Sequence, residues 1–379
     1  MQHSTKVELL EELVELHSNK APYLTEPWTK VAPNRYTDPK RFAREQSRLF
    51  QAKPLIVAHV SELAEPGAYL TLELAGKPLL LVRDESGVPR CFLNVCRHRG
   101  AQLVGESSGC KHRFSCPYHA WTWNSSGDLI GVPHEKTGFP ELDRQAYRLH
   151  EVGCEERAGW IWVQLGGDQE IDVAAHLGEL DGEFGRLEAG SHVVFETTYR
   201  ELNCNWKILV EGGLEAYHFR VAHRETIAPL FLDNLSSYRT LGNHMRSVLP
   251  RATLPELAGE PSEGWDINKH ANLLYSVLPG AQFLVQEDHF IWIQGIPVAP
   301  DRTVMRLSTM IPAAVNTAEQ AGYWKRNHAL TIHTLDEDFT LGEAIQRGLS
   351  TGANPHLNFG RFEGALAKFN ETVDAIVDA

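Results

Sequence analysis

"CRHRGAQL" (Cys96–Leu103) and "CPYHAW" (Cys116–Trp121) are the stretches that decide how this chain is read. The first is Cys-x-His and the second Cys-x-x-His, with residues 99–115 between them. Either pair alone is more often core packing than a ligand site. Together they supply two thiolates and two imidazoles, and two chemistries use that set. All four could close a tetrahedral zinc site. They could also hold a [2Fe–2S] cluster, two cysteines on one iron and two histidines on the other, which raises its potential above that of an all-cysteine cluster. Three details favour the cluster. Each half pairs one Cys with one His, so each tight loop can feed both irons. Gly100 follows one half and Pro117 sits inside the other, consistent with rigid loops at hairpin tips. The stretch "GESSGCKHRFS" (105–115) is β-like and carries no zinc-finger helix.

The rest of the chain bounds the reading. Its 379 residues are enough for more than one core, and 42% hydrophobic with 22% charged residues is ordinary for a globular protein. A formal net charge of -13 argues against a nucleic-acid surface, which needs a basic patch to displace counterions. No apolar run approaches the roughly 20 residues a membrane helix needs. The amphipathic, acidic start "MQHSTKVELLEELVELH" is unlike a signal peptide. Cysteines 91, 96, 110, 116, 154 and 204 are too scattered for a disulfide scaffold, so a reducing cytoplasm is the expected setting. Outside the motif, Cys91, Cys110, Cys154 and Cys204 read as small core residues.

Periodicity divides the chain. Residues 7–17 alternate apolar and acidic at helical spacing. From about 52 to 165, short strand-like runs are separated by turns such as "DESG" and "NSSGDL", an antiparallel β pattern. "GGDQEID" (166–172) is the expected boundary. Residues 193–219 pass from strand into helix, and 250–266 form a long polar loop of the kind that serves as a lid or binding loop. "NLLYSVLP", "QFLVQED", "FIWIQGIPV" and "TVMRLSTMIP" predict a second sheet, followed by two closing helices. The fold class is α+β, the first piece mostly β.

"CRHRGAQL" with "CPYHAWTW" resembles the Rieske domain of ring-hydroxylating, non-haem iron oxygenase α subunits. The resemblance implies a plan: a helical segment at 1–44 packing on the catalytic domain, a Rieske domain at 45–165, and a START-like, helix-on-antiparallel-sheet catalytic domain at 166–379. It implies that Cys96, His98, Cys116 and His119 hold a [2Fe–2S] cluster, Cys116 and His119 on different irons. It also implies a second, mononuclear Fe(II), since a Rieske cluster moves an electron but activates nothing.

The candidate second site is "NWKILVEGGLEAYHFRVAH" (205–223). His218 and His223 stand five apart, roughly 140° around an ideal helix. One metal can take both only if the helix ends or bulges, so a break or π-bulge is expected at Phe219–Ala222. Read without the Rieske half, these are two satisfied histidines on a partly buried helix. Glu215, three before His218, falls on the same helix face. By resemblance it is not a ligand but a bridge from a metal-site histidine to a Rieske histidine of the next subunit. The family usually has Asp there, and Glu in a subset that includes quaternary-ammonium oxygenases. Relatives often carry Asn where this chain has Gly212, which leaves the iron's polar neighbour open. A facial triad needs a carboxylate, and "HTLDEDFTLGEAIQRGL" offers Asp336, Glu337 and Asp338. Taken singly, each is a residue of a solvated helix start. By resemblance the ligand precedes another acid by five, and Asp338 stands five before Glu343; Asp336 is the reserve.

No GxGxxG follows a strand and no Walker loop is present, so electrons are expected from a separate NAD(P)H reductase or ferredoxin. The resemblance implies a head-to-tail homotrimer. It also implies a terminal oxygenase that uses O2 to hydroxylate an aromatic or other small organic substrate. The alternative is a monooxygenase cleaving or demethylating a quaternary ammonium compound at a C–N bond. A Rieske electron carrier is the rival from another class, but it would leave the second ligand set without a role; a structural zinc protein is a third reading. Residues 219–232 and 283–292 supply apolar groups for a pocket, with Phe219, Leu230, Phe231, Phe283, Phe290 and Trp292 as candidates. Such groups suit an aromatic ring or, by cation–π attraction, a quaternary ammonium.

Overall fold

The structure, a computed structural model, describes residues 1–25, 27–167 and 170–379. It divides into two compact units, Phe50–His176 and Met1–Leu49 with Leu177–Ala379. The first unit therefore runs past the boundary expected at 166–172, of which Asp168 and Gln169 lie outside the described residues. The reason is local. The Val173 N–H donates to Glu155 (3.0 Å), and His176 packs edge-on against Trp162 (6.1 Å).

Along the chain, α1 (His3–Ser18), β1 (Thr29–Val31) and α2 (Pro39–Glu45) precede the first unit. That unit holds β2 (Leu55–His59), β3 (Ala68–Leu74), β4 (Lys77–Arg83), β5 (Pro89–Leu93), β6 (Ser108–Cys110), β7 (Arg113–Ser115), β8 (Thr122–Asn124), β9 (Leu129–Gly131), β10 (Glu151–Arg157) and β11 (Trp160–Gln164). They form an antiparallel sheet in the order β2-β11-β10-β5-β4-β3-β6 and a three-stranded sheet β7-β8-β9. Its core gathers Tyr69, Phe92, Phe114, Trp121 and Trp123 directly beneath the two Cys/His loops. Burying such rings removes enough apolar area to anchor short strands that would not hold alone. Cys91 is buried, whereas Cys110 stands exposed on edge strand β6, contrary to its reading as a core residue.

The second unit continues with β12 (His192–Leu202), α3 (Trp206–Gly213), α4 (Phe219–Ala222), β13 (Ser237–Leu241), β14 (His244–Pro250), β15 (Ala271–Val277), β16 (Ala281–Val285), β17 (Phe290–Ala299), β18 (Arg302–Pro312), α5 (Ala321–Ser350), β19 (Leu357–Phe359) and α6 (Gly364–Val377). The main sheet is antiparallel, β12-β18-β17-β16-β15-β14-β13, and β1 pairs with β19. The thirty-residue α5 lies on this sheet, its Phe339 packed with Leu202, Ile291, Met305 and Leu307. Strand alternation does the sorting: Ile291 and Ile293 face the helix, so Phe290 and Trp292 must face away. The polar loop expected at 250–266 is partly ordered as two 3-10 turns, held by buried Leu254 and Leu257.

Buried ionic groups tie the N-terminal segment to this unit. Glu45 accepts from Trp206 Nε1 (2.9 Å) and from Lys207 Nζ (2.8 Å). Burial pulls the Lys207 ammonium down to about 8, against the pull of Glu45. Glu211 accepts from the Tyr36 hydroxyl (2.7 Å) and Asn370 Nδ2 (2.8 Å), and burial pushes its carboxyl up to about 7. Losing one such donor would strand a buried acceptor, at a cost of about 1–3 kcal/mol. Among the described residues no helix is long and apolar enough to cross a membrane.

Candidate metal centres and substrate cavity

In the first unit the two Cys/His loops share one backbone frame. Cys96 N–H donates to Ala101 O and Gly100 N–H to Cys96 O (2.8 and 2.9 Å). Cys116 N–H donates to Trp121 O and Ala120 N–H to Cys116 O, at the same distances. The fifth residue of each loop is left-handed, Gly100 at φ 77° and Ala120 at φ 57°. Glycine takes that conformation freely, whereas alanine needs its surroundings to hold it. The loops bring the sulfurs of Cys96 and Cys116 within hydrogen-bond reach and the His98 and His119 rings to 4.8 Å. Burial raises the Cys96 thiol, and the backbone N–H groups of His98 and Arg99 aim at its sulfur, which favours a thiolate. His98 stacks on Trp121 at 4.8 Å, and its Nδ1 is buried with no hydrogen-bond partner among the described residues. An orphaned imidazole nitrogen beside two thiols fits a metal cluster and fits a packed core poorly.

In the second unit α3 is capped at its start by Asn205, whose side chain accepts from Lys207 N–H, and it ends at Gly213. The chain then turns, so Glu215 is not on a helix face: its carboxylate accepts the backbone N–H groups of Tyr217 and His218. Phe219–Ala222, where a break was expected, is instead one helical turn, with His218 and His223 as its two caps. The interruptions flank that turn, and they are what let both imidazoles face one point.

His218 Nε2 and His223 Nε2 lie 3.2 Å apart, and Asp338 Oδ1 from α5 lies 3.0 Å from His223 Nε2 and 3.5 Å from His218 Nε2. Donors sharing one first-row ion at about 2.1 Å stand roughly 3 Å apart, so the three residues fit a facial set. Each imidazole is steered from behind. Glu215 Oε1 meets His218 Nδ1; Glu337 Oε2 lies 2.8 Å from His223 Nδ1 and accepts from the Thr226 hydroxyl at 2.6 Å. Burial alone would lower His223, but Asp338 and Glu337 outweigh it and hold the ring above its ordinary value. Carboxylates arranged around imidazole in this way fix its tautomer and its aim. Asp336 points elsewhere, 3.5 Å from Arg200, and Glu343 accepts from the Asn203 N–H (2.9 Å). The sequence offered Glu337 only as a ligand candidate; its steering role depends on α5 placing consecutive acids on either side of His223.

Beside these residues lies a cavity of about 690 Å³. Phe219, Leu230 and Phe231 line it, as expected. Phe283, Phe290 and Trp292 do not. They lie on the other face of the sheet, against Phe184 (5.1 Å), His192 (4.8 Å) and the Arg306 guanidinium (4.1 Å). Their neighbours Gln282, Leu284 and Ile293 face the cavity instead, a shift of one residue in a two-residue period. Gly212 also lines it, and a Cβ there would meet nothing within 4 Å, so the place of the relatives' Asn is open volume.

Residues 190–379 match the family model of the ring hydroxylating alpha subunit (catalytic domain), and residues 53–148 that of the Rieske [2Fe-2S] domain. The chain is 31% identical over 355 residues to the glycine betaine monooxygenase oxygenase subunit of Chromohalobacter salexigens, covering 84% of this chain and 79% of that one. It is 27% identical over 340 residues to the carnitine monooxygenase oxygenase subunit of Acinetobacter baumannii, covering 83% and 84%. The crystal structure of a quaternary ammonium Rieske monooxygenase in complex with L-carnitine shares the fold, with a TM-score of 0.78, 24% identity, and coverage of 94% and 96%. The Cys/His loops, the His/His/Asp convergence and these matches agree: the chain belongs to the Rieske ring-hydroxylating oxygenase α-subunit family, and is a terminal oxygenase component with a [2Fe–2S] cluster and a mononuclear iron, fed by a separate electron donor.

Proposed function

We propose that this oxygenase acts as a monooxygenase on a quaternary ammonium compound, attacking a C–H bond next to the cationic nitrogen. One oxygen atom would enter that bond and the other leave as water, with two electrons from the separate donor and two protons; the hydroxylated product then separates into a carbonyl compound and a tertiary amine, releasing a proton. The observation that carries the reading is the acidic and aromatic surround of the iron end of the cavity. Glu215 and Glu363 line it, together with Phe219 and Phe231. Burial and the neighbouring Glu215 raise the Glu363 carboxyl, so added positive charge is welcome there. The carnitine and glycine betaine monooxygenase subunits described above, each matched along most of the chain, support it.

Within this reading Cys96, His98, Cys116 and His119 hold the cluster, and His218, His223 and Asp338 hold the iron. The iron supplies O2 activation when bound. The chain's own part is positional. Glu337 and Glu215 hold the Nδ1 protons of His223 and His218, leaving each Nε2 free to bind metal, while Phe219 and Phe231 keep water from the reacting carbon. Glu215 is also the bridge to a Rieske histidine of the next subunit in a homotrimer. Its neighbour Tyr217 and, in the other unit, Tyr118 beside His119 are both more than half exposed, as surfaces awaiting a partner would be. Aromatic ring hydroxylation is the second reading, favoured by the apolar Leu249–Leu274–Leu284 floor.

The test uses the loaded enzyme with a surrogate reductase. Glycine betaine or L-carnitine should accelerate oxidation of the reduced cluster by O2 and yield a carbonyl product. Acceleration by benzene or toluene alone, with neither ammonium compound active, would overturn the proposal in favour of ring hydroxylation.

A further inference from the structure

The geometry points to Arg251 as the residue that receives a carboxylate of the substrate, so that the oxygenase acts on a molecule with an anionic group at the end remote from the reacting carbon. Taken with the proposed ammonium substrate, on which this half of the statement rests, that means a zwitterion of the betaine type.

Arg251 is the one Lys or Arg among the described residues lining the cavity. It follows β14 and pairs as an isolated bridge with Phe231; Leu232 N–H donates to Pro250 O (3.0 Å) and Ala252 N–H to Leu230 O (2.9 Å). That short ladder fixes the arginine on the wall carrying Phe231. From the iron-site histidines to Arg251 the path crosses two rings. Phe219 lies 5.0 Å from His218 and 5.5 Å from His223, and Phe231 lies 5.5 Å from Phe219. The cavity is therefore polarised, with carboxylates at the metal, aromatic rings between, and a guanidinium beyond.

The guanidinium is prepared for a ligand and not used up by the protein. Its Nε donates to Asn272 Oδ1 at 2.9 Å, and Asn272 is buried. The terminal nitrogens make no hydrogen bond among the described residues; the nearest carboxylate, Glu287, is exposed and 3.7 Å away. Asn272 commits its carbonyl oxygen to Nε, so the group it has left is an amide donor. Gln286, also on the cavity wall, adds a second amide, which keeps one N–H for a ligand beside its 3.3 Å contact with His289 Nε2. A fixed guanidinium fork flanked by amide donors matches the planar, two-oxygen geometry of a carboxylate. The alternative is that Arg251 only ties the 250–253 turn to β15, and the experiment separates the two.

Holoenzyme with a surrogate reductase is assayed in matched pairs: γ-butyrobetaine against its methyl ester, L-carnitine against choline, and benzoate against toluene. The readout is substrate-triggered oxidation of the reduced cluster, with KM and kcat for any turnover. The expected result is a strong preference for the carboxylate member of the productive pair. Arg251→Gln should raise its KM roughly tenfold to a hundredfold with kcat little changed, leave the uncharged partner unaffected, and be partly rescued by Arg251→Lys. Were benzoate the productive substrate and Arg251→Gln to weaken it, the ammonium proposal would fall while Arg251 kept its role. Three results overturn the inference: a KM unchanged in Arg251→Gln, equal weakening of charged and uncharged partners, or no carboxylate preference in any pair.

Discussion

At Asp338 a single carboxylate oxygen lies within 3.5 Å of both His218 and His223, while Asp336, two residues earlier, reaches out to Arg200. Between them Glu337 turns back to His223 Nδ1 and the Thr226 hydroxyl. Three consecutive acids thus meet three different sets of partners, and the proposed duties are separable. Asp338→Ala should abolish Fe(II) retention and turnover while leaving the visible spectrum of the cluster intact. Glu337→Ala keeps all three proposed ligands but frees the His223 ring, so Fe(II) affinity should fall about 10- to 100-fold, again with an unchanged cluster spectrum. Asp336→Ala should match the parent protein in both. Fe(II) titration of the three variants checks this ordering, and equal loss in Asp336→Ala and Glu337→Ala would refute it. The acids were visible in the sequence. Their division of labour was not, because it depends on which way each side chain leaves α5.

At the scale of elements, α3 carries a buried carboxylate that makes stability depend on pH. Glu211 sits between Tyr36 and Asn370, and burial moves it from 4.5 up to about 7. The unfolded chain ionises this group near its ordinary value, whereas the folded chain keeps it neutral to about 7. The stability it contributes is therefore full below pH 4.5 and is lost as pH rises toward 7, a change on the order of 3 kcal/mol. Glu211→Gln keeps an oxygen for both donors and removes the titration. Denaturant unfolding at pH 5 and pH 7.5 should show the variant gaining relative to the parent at the higher pH, and parallel pH profiles would contradict the assignment. The same element shows where sequence reasoning ran out. The Cys/His loops were legible because ligand chemistry dictates residue types over a few positions, and the strands and helices because their periods differ. The ends of α3 and α4 and the faces of β16 and β17 were not. A one-residue register decides whether Leu284 or Phe283 meets the substrate, and apolar runs such as "FLV" and "FIWI" carry no alternation to fix it.

At the scale of the whole molecule, each chain carries both centres but, in the proposed trimer, uses the iron of one subunit with the cluster of the next. In that proposed trimer Glu215 would be the junction. One of its oxygens is held by the backbone N–H groups of Tyr217 and His218 and the other meets His218 Nδ1, yet a carboxylate oxygen has a lone pair to spare for a second imidazole. The arrangement predicts complementation between two inactive chains. Cys116→Ala removes the cluster and spares the iron; Asp338→Ala removes the iron and spares the cluster. Neither trimer alone should turn over. Co-expressed at equal levels, they assemble at random, and an active pair forms wherever a chain with intact iron is followed by one with an intact cluster. About a quarter of the iron positions then regain turnover, half for the right chain times half for the right neighbour. If electrons passed within one chain, no mixture would ever work. Adding Glu215→Gln to the Cys116→Ala chain places the substitution on the iron side of every productive junction, and should bring the mixture back to the level of its inactive parents although trimer and metal contents stay the same.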